Sequence, residues 1–379
     1  MSRGRVLSRI VVVVLLLALI TLAAFVVAAL LRKPPVVNIE VDLSQPASAL
    51  TAEVIRQGLD AGGFRGVTYD TADYDLIGEK VQDTSDARDI SVGVTSRPLD
   101  PAVLPDVVSL GTVSEQPLLF VTRGDAAALT SPAQLVGKRI QVGLPGSVEN
   151  EVGVEVLAQF DVTDANSEFL FDKHEIAKES LLSGDVDAMV VLYGYAESDM
   201  HEQFARHALH VIPTPSAKAV AGRVGYVVAG VLPQGAFSAA RTVPPIDIPV
   251  IEVPITVIGR SGLSRAAVFD IAEALRNQFG RGTVLAPPGA FPTFTNTIPS
   301  DPAAVQFYTD GIVPWQYRSL PAPIADLFIP LAVIGSILIV VLSVYQVLLP
   351  DALQLWMGVL RPRRHRKRAG KKASSEGQR

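Results

Sequence analysis

Two long apolar runs, one near each end, constrain this chain more than any other feature. Residues 10–31 form a 22-residue stretch whose only polar side chain is Thr21. At about 1.5 Å of rise per residue, a helix of that length crosses a hydrocarbon core of roughly 30 Å. Arg3, Arg5 and Arg9 precede it, and Arg32 and Lys33 follow it. The second run, residues 324–349, carries Asp326 at its start and Pro330 in its first turns, where a missing amide donor costs least. Beyond it the tail over residues 361–379 holds nine Lys/Arg and a single acid, Glu376. By the positive-inside rule this tail is cytoplasmic. Two spans then return the amino terminus to the same side, in keeping with the three early arginines. The competing reading of the first run is a signal peptide cleaved near Ala28-Ala29. Signal cores are about 7–15 residues long, so a run of 22 favours a retained anchor. The expected layout is a cytoplasmic segment 1–9, a span over 10–31, an exported middle, a span over 324–349 and a basic cytoplasmic tail over 350–379. The chain thus belongs in the cell membrane, in contact with the lipid bilayer, with its main domain outside the cytoplasm.

The exported middle is acidic. Residues 34–350 contain 19 Lys/Arg against 36 Asp/Glu, a formal net of −17. That balance excludes nucleic acid as a partner but leaves room for an anionic ligand in a locally positive pocket. The absence of cysteine removes disulfides, cysteine-zinc sites and thiol nucleophiles. The sequence has no Gly-x-Ser-x-Gly elbow, His-Glu-x-x-His helix or Gly-x-Gly-x-x-Gly fingerprint. His201, His207 and His210 lie close together, but in a polar stretch that reads as a solvated face rather than a metal site. No catalytic residue, metal or cofactor is therefore expected.

Short apolar strands alternate with amphipathic helices through the middle. Strands are predicted over 36–41, 66–70, 90–96, 117–122, 139–143, 169–172, 186–192 and 255–259. Helices are predicted over 49–61, 75–81, 131–136, 148–160, 175–183, 265–279 and 302–310. Residues 243–254, rich in proline, are read as a break, and 287–302 as irregular. Alternation of this kind indicates an α/β fold with substantially parallel sheets. Two stretches rhyme: Arg88-Asp89-Ile90-Ser91-Val92-Gly93-Val94 and Gly184-Asp185-Val186-Asp187-Ala188-Met189-Val190. Each is a charged or glycine turn feeding a buried strand with polar residues at its far end. Two similar lobes facing one cleft would show this pattern, and in open α/β sheets ligands sit beyond the carboxyl ends of strands.

Candidate ligand contacts follow from those strand ends. Gly146 and Ser147 open a helix after Val142-Gly143-Leu144-Pro145, where free amides and the positive dipole end suit a carboxylate or phosphate. An ordinary N-cap explains the same serine. Thr95, Ser96 and Arg97 close the strand over 90–96. Tyr193, with Tyr195, closes the strand over 186–192 and could stack on a ligand or simply pack. Ser44, Gln45 and Ser48 lie between the first strand and the first helix. Glu115 precedes the strand entering the second lobe, where a hinge or structural role is expected rather than catalysis.

Several of these segments resemble the TAXI family of TRAP-transporter solute receptors. One is Val108-Ser109-Leu110-Gly111-Thr112 through Glu115-Gln116-Pro117-Leu118. Another is Leu135-Val136-Gly137-Lys138-Arg139-Ile140-Gln141-Val142-Gly143 with Pro145-Gly146-Ser147. Leu182-Ser183-Gly184-Asp185-Val186-Asp187-Ala188, and Phe291-Pro292 followed by Ala303-Ala304-Val305-Gln306-Phe307-Tyr308, are similar too. So is the Leu320-Pro321 approach to the second apolar run, as in the membrane-bound branch. The family's glycine-rich Ser/Tyr stretch after the first strand is replaced here by Leu43-Ser44-Gln45-Pro46-Ala47-Ser48. Its Thr-Gly-Gly-Ser-type segment is replaced by Tyr69-Asp70-Thr71-Ala72. The resemblance implies a two-lobed, type-2 periplasmic-binding fold that holds a small anionic solute, a carboxylate or amino acid, and hands it to membrane permease subunits. The expected lobes are 36–116 with 255–311, and 117–254. The alternative is an envelope interaction protein on the same fold that senses a ligand or has lost one.

Overall fold

A computed structural model describes residues 33–43, 45–71, 76–97, 99–124, 129–194, 198–206, 208–283, 285–295, 297–320, 324–326, 328, 331–337 and 339–340. The chain forms two compact units, Met1–Asp326 and Leu327–Arg379.

The first unit begins with β1, Val36–Val41, whose Val37, Ile39 and Val41 are buried. Helix α1, Pro46–Ala61, starts three residues before the sequence pattern suggests, because Pro46 occupies the first turn and gives up no helical hydrogen bond there. Its buried stripe is Ala52, Ile55 and Leu59. Strands β2, Arg65–Asp70, and β3, Ile90–Thr95, flank β1 in parallel, with α2, Ile77–Gln82, between them in the chain. A 17-residue strand β4, Val107–Arg123, then leaves this part of the molecule for the next.

There the chain builds a second set of elements. They are β5 (Arg139–Gln141), α3 (Val148–Ala158), β6 (Glu168–Leu170), α4 (His174–Ser183) and β7 (Ala188–Leu192). After them come α5 (Ser198–Ala205), β8 (Leu209–Ile212), α6 (Ala217–Val224) and β9 (Val228–Leu232). The 13-residue strand β10, Ile248–Arg260, crosses back. Helices α7 (Arg265–Phe279), α8 (Pro302–Asp310) and α9 (Trp315–Ser319) complete the unit. Asp301 caps α8 by accepting from the Ala303 and Ala304 amides at 2.7 and 3.2 Å, and Gly311, at φ 72°, ends it.

The sheet order is β2-β1-β3-β10-β4-β7-β5-β6, with β8 added to β4 and β9 to β10. Among the described residues only β4 and β10 run through both halves, paired antiparallel to each other from Ile251↔Leu118 to Arg260↔Val107. The buried apolar clusters divide accordingly. Two are made from residues between Val37 and Val113 and between Ile255 and Val313, and two from residues between Leu118 and Val253. On the first side, Phe269, Ile271 and Leu275 of α7 pack with Ile55 and Leu59 of α1 over the sheet. Burial of each such side chain contributes on the order of 1.5–3 kcal/mol. The result is the expected two-lobed α/β arrangement.

Two sequence expectations are corrected. The strand expected over 117–122 is the second half of β4, which begins ten residues earlier. The break expected over 243–254 is largely strand, since β10 runs through Pro249 and Pro254. A proline is tolerated in a strand where it forgoes no ladder bond. At Pro254 the β9 partner has ended, at Glu252, and the β3 partner has yet to begin, at Thr256, so one flank of β10 is bare. Pro117 lies at the matching gap of β4, just before β7 pairs from Leu118.

In the second unit the described residues are helical and expose large apolar side chains, among them Val333, Ile334, Ile337, Ile339 and Val340. Among the described residues no helix is long and apolar enough to cross a membrane. The span expected over 10–31, half of the one over 324–349 and the basic tail lie outside the described residues.

Candidate functional site

Where β10 crosses between the lobes, it floors a narrow recess with a cavity volume of about 20 Å³. Pro254 and Thr256 of β10 form the floor. Ser96, Arg97 and Leu99, following β3, line the wall of the first lobe, and Tyr226, following α6, lines that of the second. Thr295 and Thr297 close one side from the irregular segment before α8. That segment is held against β4 by paired Thr293 and Thr112 backbones. Beneath the floor, the Thr112 and Thr256 hydroxyls hydrogen-bond to each other at 3.2 Å.

Each wall residue is positioned by its local chain. Thr95 pairs with Thr256 across β3 and β10, and its hydroxyl accepts from the Arg97 amide at 3.1 Å, which fixes the turn out of β3. This turn directs Arg97 to the other lobe. Its guanidinium donates to the Gly146 carbonyl and pairs with Glu151 in the first turn of α3. Gly225, at φ 84°, ends α6 in a left-handed conformation that favours glycine, and Tyr226 follows. The Tyr226 hydroxyl donates to the Glu155 carboxylate of α3. Burial, then that carboxylate, hold its pKa above the ordinary tyrosine value, against a smaller opposing effect of Arg97.

Two more carboxyls sit at the crossing itself. Glu115 of β4 stands opposite Pro254 in the ladder, and Glu252 is two residues along β10, so both point to the face that Pro254 presents to the recess. They hydrogen-bond to each other, and Thr295 also bonds Glu115. Burial first, then the Glu115 charge, push Glu252 up to about 7. Burial likewise raises Glu115, against the hydrogen bonds it accepts.

The residues anticipated from sequence and those the site itself shows separate into three groups. Ser96 and Arg97 line the recess, with Thr95 directly behind them, and Gly146, next to Ser147, meets Arg97 from the opposite lobe. Ser147 is the N-cap of α3, accepting from the Asn150 amide at 3.2 Å. With Glu149 and Glu151 in the first turn, this helix end faces an arginine of its own chain. The second group lies elsewhere. Tyr193 is 1% exposed, its ring set edge-on to Phe204 and Phe237 and its hydroxyl 3.2 Å from His201 Nδ1, so it belongs to the core of the second lobe. His201 therefore meets an aromatic core and not only solvent. Gln45 and Ser48 begin α1 and do not line the recess; Ser48 is buried in the helix. Ser44 and Tyr195 lie outside the described residues. The third group, Tyr226, Thr256, Thr295, Thr297 and Glu252, was not anticipated.

No family model matches the chain, and no curated protein matches it. The resemblance to TAXI receptors stands on the sequence motifs alone. Among solved structures, the chain is similar to an ancestral arginine-binding protein bound to arginine, at 15% identity and a TM-score of 0.39, covering 65% of this chain and 93% of that one. It is similar to the periplasmic aliphatic sulphonate binding protein of Escherichia coli at 13% identity and a TM-score of 0.41, covering 79% and 94%. It is also similar to the BenM effector binding domain with its effector benzoate, at 10% identity and a TM-score of 0.41, covering 69% and 100%.

Proposed function

We propose that the chain is a membrane-tethered extracytoplasmic solute-binding protein that closes its lobes on one small solute bearing a carboxylate, and delivers it to a TRAP-type permease. The observation that carries the reading is the recess at the crossing of β4 and β10, lined from both lobes by hydroxyls, one arginine and one tyrosine. Arg97 is its carboxylate partner, since a guanidinium and a carboxylate can form two parallel hydrogen bonds. Glu151 and Glu155, on the facing helix, suit an ammonium group on the same solute, so an amino acid fits better than a bare anion. The tether is supported by the two apolar runs and by the exposed Ile334, Ile337, Ile339 and Val340. The role is binding: the hydroxyls and the guanidinium that line the recess are placed to orient a solute.

A thermal-melting screen of the full-length chain against amino acids, carboxylates and sulfonates tests the proposal. A solute bound only by the folded state raises the melting temperature in a dose-dependent way. Arg97→Ala is expected to weaken the hit by about tenfold or more, the scale of a hydrogen bond between charged groups. One observation favours a second reading, an interaction protein whose cleft is self-occupied: Arg97 is already engaged by Gly146 and Glu151. No shift with any solute, and a melting temperature lowered by Arg97→Ala, is the outcome that reading predicts.

A further inference from the structure

The two strands that join the lobes each carry one glutamate at the crossing, and the two carboxyls touch. We propose that the Glu115–Glu252 pair couples lobe closure to uptake of a proton, so that acid favours the closed arrangement.

The pair lies where bending must occur, between the last residue paired to β9, Glu252, and the first paired to β3, Thr256. Glu252 is 8% exposed in this arrangement, in which Arg97 bridges the two lobes. The Glu252 carboxyl lies over Gly230 of β9, where a Cβ would stand 2.0 Å from Glu252 Cδ, so any larger residue there would push the carboxyl aside. Two carboxylates held in contact in such a place cannot both ionise without strong repulsion. A hydrogen bond between two carboxyls requires that one of them keep its proton, so the pair shares one proton.

Among the described residues no counter-charge relieves the pair. Strand β9 carries no ionisable side chain, and the segment before α8 offers the Thr295 hydroxyl. Arg123 and Arg260 stand at the far ends of β4 and β10, and Arg260 is paired with Asp89. On the recess side the ionisable groups are Arg97, Glu151, Glu155 and Tyr226, with Arg97 engaged by Glu151. Among the described residues the only charge acting on either carboxyl is the other. Opening the lobes returns the pair to water and its carboxyls toward ordinary values. The closed form thus binds more protons than the open one between the ordinary carboxylate range and about 7, and closure is lost as pH rises through that window.

The test reads lobe separation without any solute, so its outcome is independent of whether the solute-binding reading holds. The chain has no cysteine, so Leu50→Cys on one lobe and Ile176→Cys on the other, both exposed, take spin labels at unique sites in the full-length protein. The open-to-closed ratio is expected to rise by up to about tenfold per pH unit from about 5 to about 7, then level off. Glu252→Gln keeps the hydrogen bond without the titration and should flatten the rise; Glu115→Gln, which removes the like charge, should shrink it. Asp270→Asn, which removes another elevated carboxyl on α7, should leave it intact. A wild-type ratio that does not change with pH, or a rise that survives Glu252→Gln or Glu115→Gln unchanged, overturns the proposal.

Discussion

Replacing Lys80 by methionine removes the main counter-charge of a carboxylate that water does not reach. Glu40 lies next to the end of β1 with its side chain 0% exposed. Lys80 Nζ, on α2, meets it at 2.8 Å and also donates to the Thr71 hydroxyl at 2.6 Å. Arg88 reaches the other carboxylate oxygen at only 3.5 Å. Breaking a buried ion pair by removing one partner costs roughly 3–5 kcal/mol, because the remaining charge stays desolvated. Arg88 compensates in part, so the expected loss for Lys80→Met is about 3 kcal/mol, at the low end of that range. Denaturant unfolding of the full-length chain, followed by circular dichroism, measures it. The double variant Glu40→Gln/Lys80→Met should recover much of the loss, since nothing charged is then left buried at that point. A single-variant loss below about 1 kcal/mol, the scale of an exposed pair, would refute the assignment of Lys80 as the partner that makes a buried Glu40 tolerable.

Three further outcomes are expected. Ser147→Ala removes the acceptor of the Asn150 amide and should cost about 1 kcal/mol of stability, measured by the same unfolding experiment. Asp270, pushed up to about 7 by burial and then by Glu273, binds more protons folded than unfolded, so its contribution is present in acid and lost as pH rises through about 7. Asp270→Asn should therefore show a smaller fall in melting temperature between about pH 5 and pH 8 than the wild type. Reporter fusions after Arg379 and at Gly222 should lie on opposite sides of the membrane; the same side for both would sink the proposed topology.

The local elements were legible where one pattern dominated. The periodic run Arg265–Phe279 reads as α7 to the residue, and β1 likewise, because each has one buried face and clear stops. The crossing strands were not legible, because their hallmarks look like interruptions. Gly111 at φ 133°, the polar Glu115 and Gln116, and Pro117 in β4, with Pro249 and Pro254 in β10, are all poor strand residues. They are accommodated by the pairing and, at Pro117 and Pro254, by the gaps in pairing that only the folded sheet shows. Elements α5, β8, α6 and β9 were missed since each has eight residues or fewer, and β9 buries fully only Leu232. At the site, strand-end reasoning found Ser96 and Arg97. It also pointed to Tyr193, which turns into the core because Phe204 and Phe237 offer it an apolar pocket. Tyr226, Thr295 and Thr297 sit in turns with no periodicity, and the contact of Glu115 with Glu252 joins residues far apart in the chain. No local signal could have found them.

The central claim is that the two lobes close on a solute around Arg97. The most direct measurement is the interlobe distance distribution of the doubly labelled full-length chain, titrated at fixed pH with the solute that raises its melting temperature most. The account predicts a saturable shift to the shorter distance, displaced to higher solute concentration by Arg97→Ala. A distribution that stays unchanged at saturating solute would contradict it.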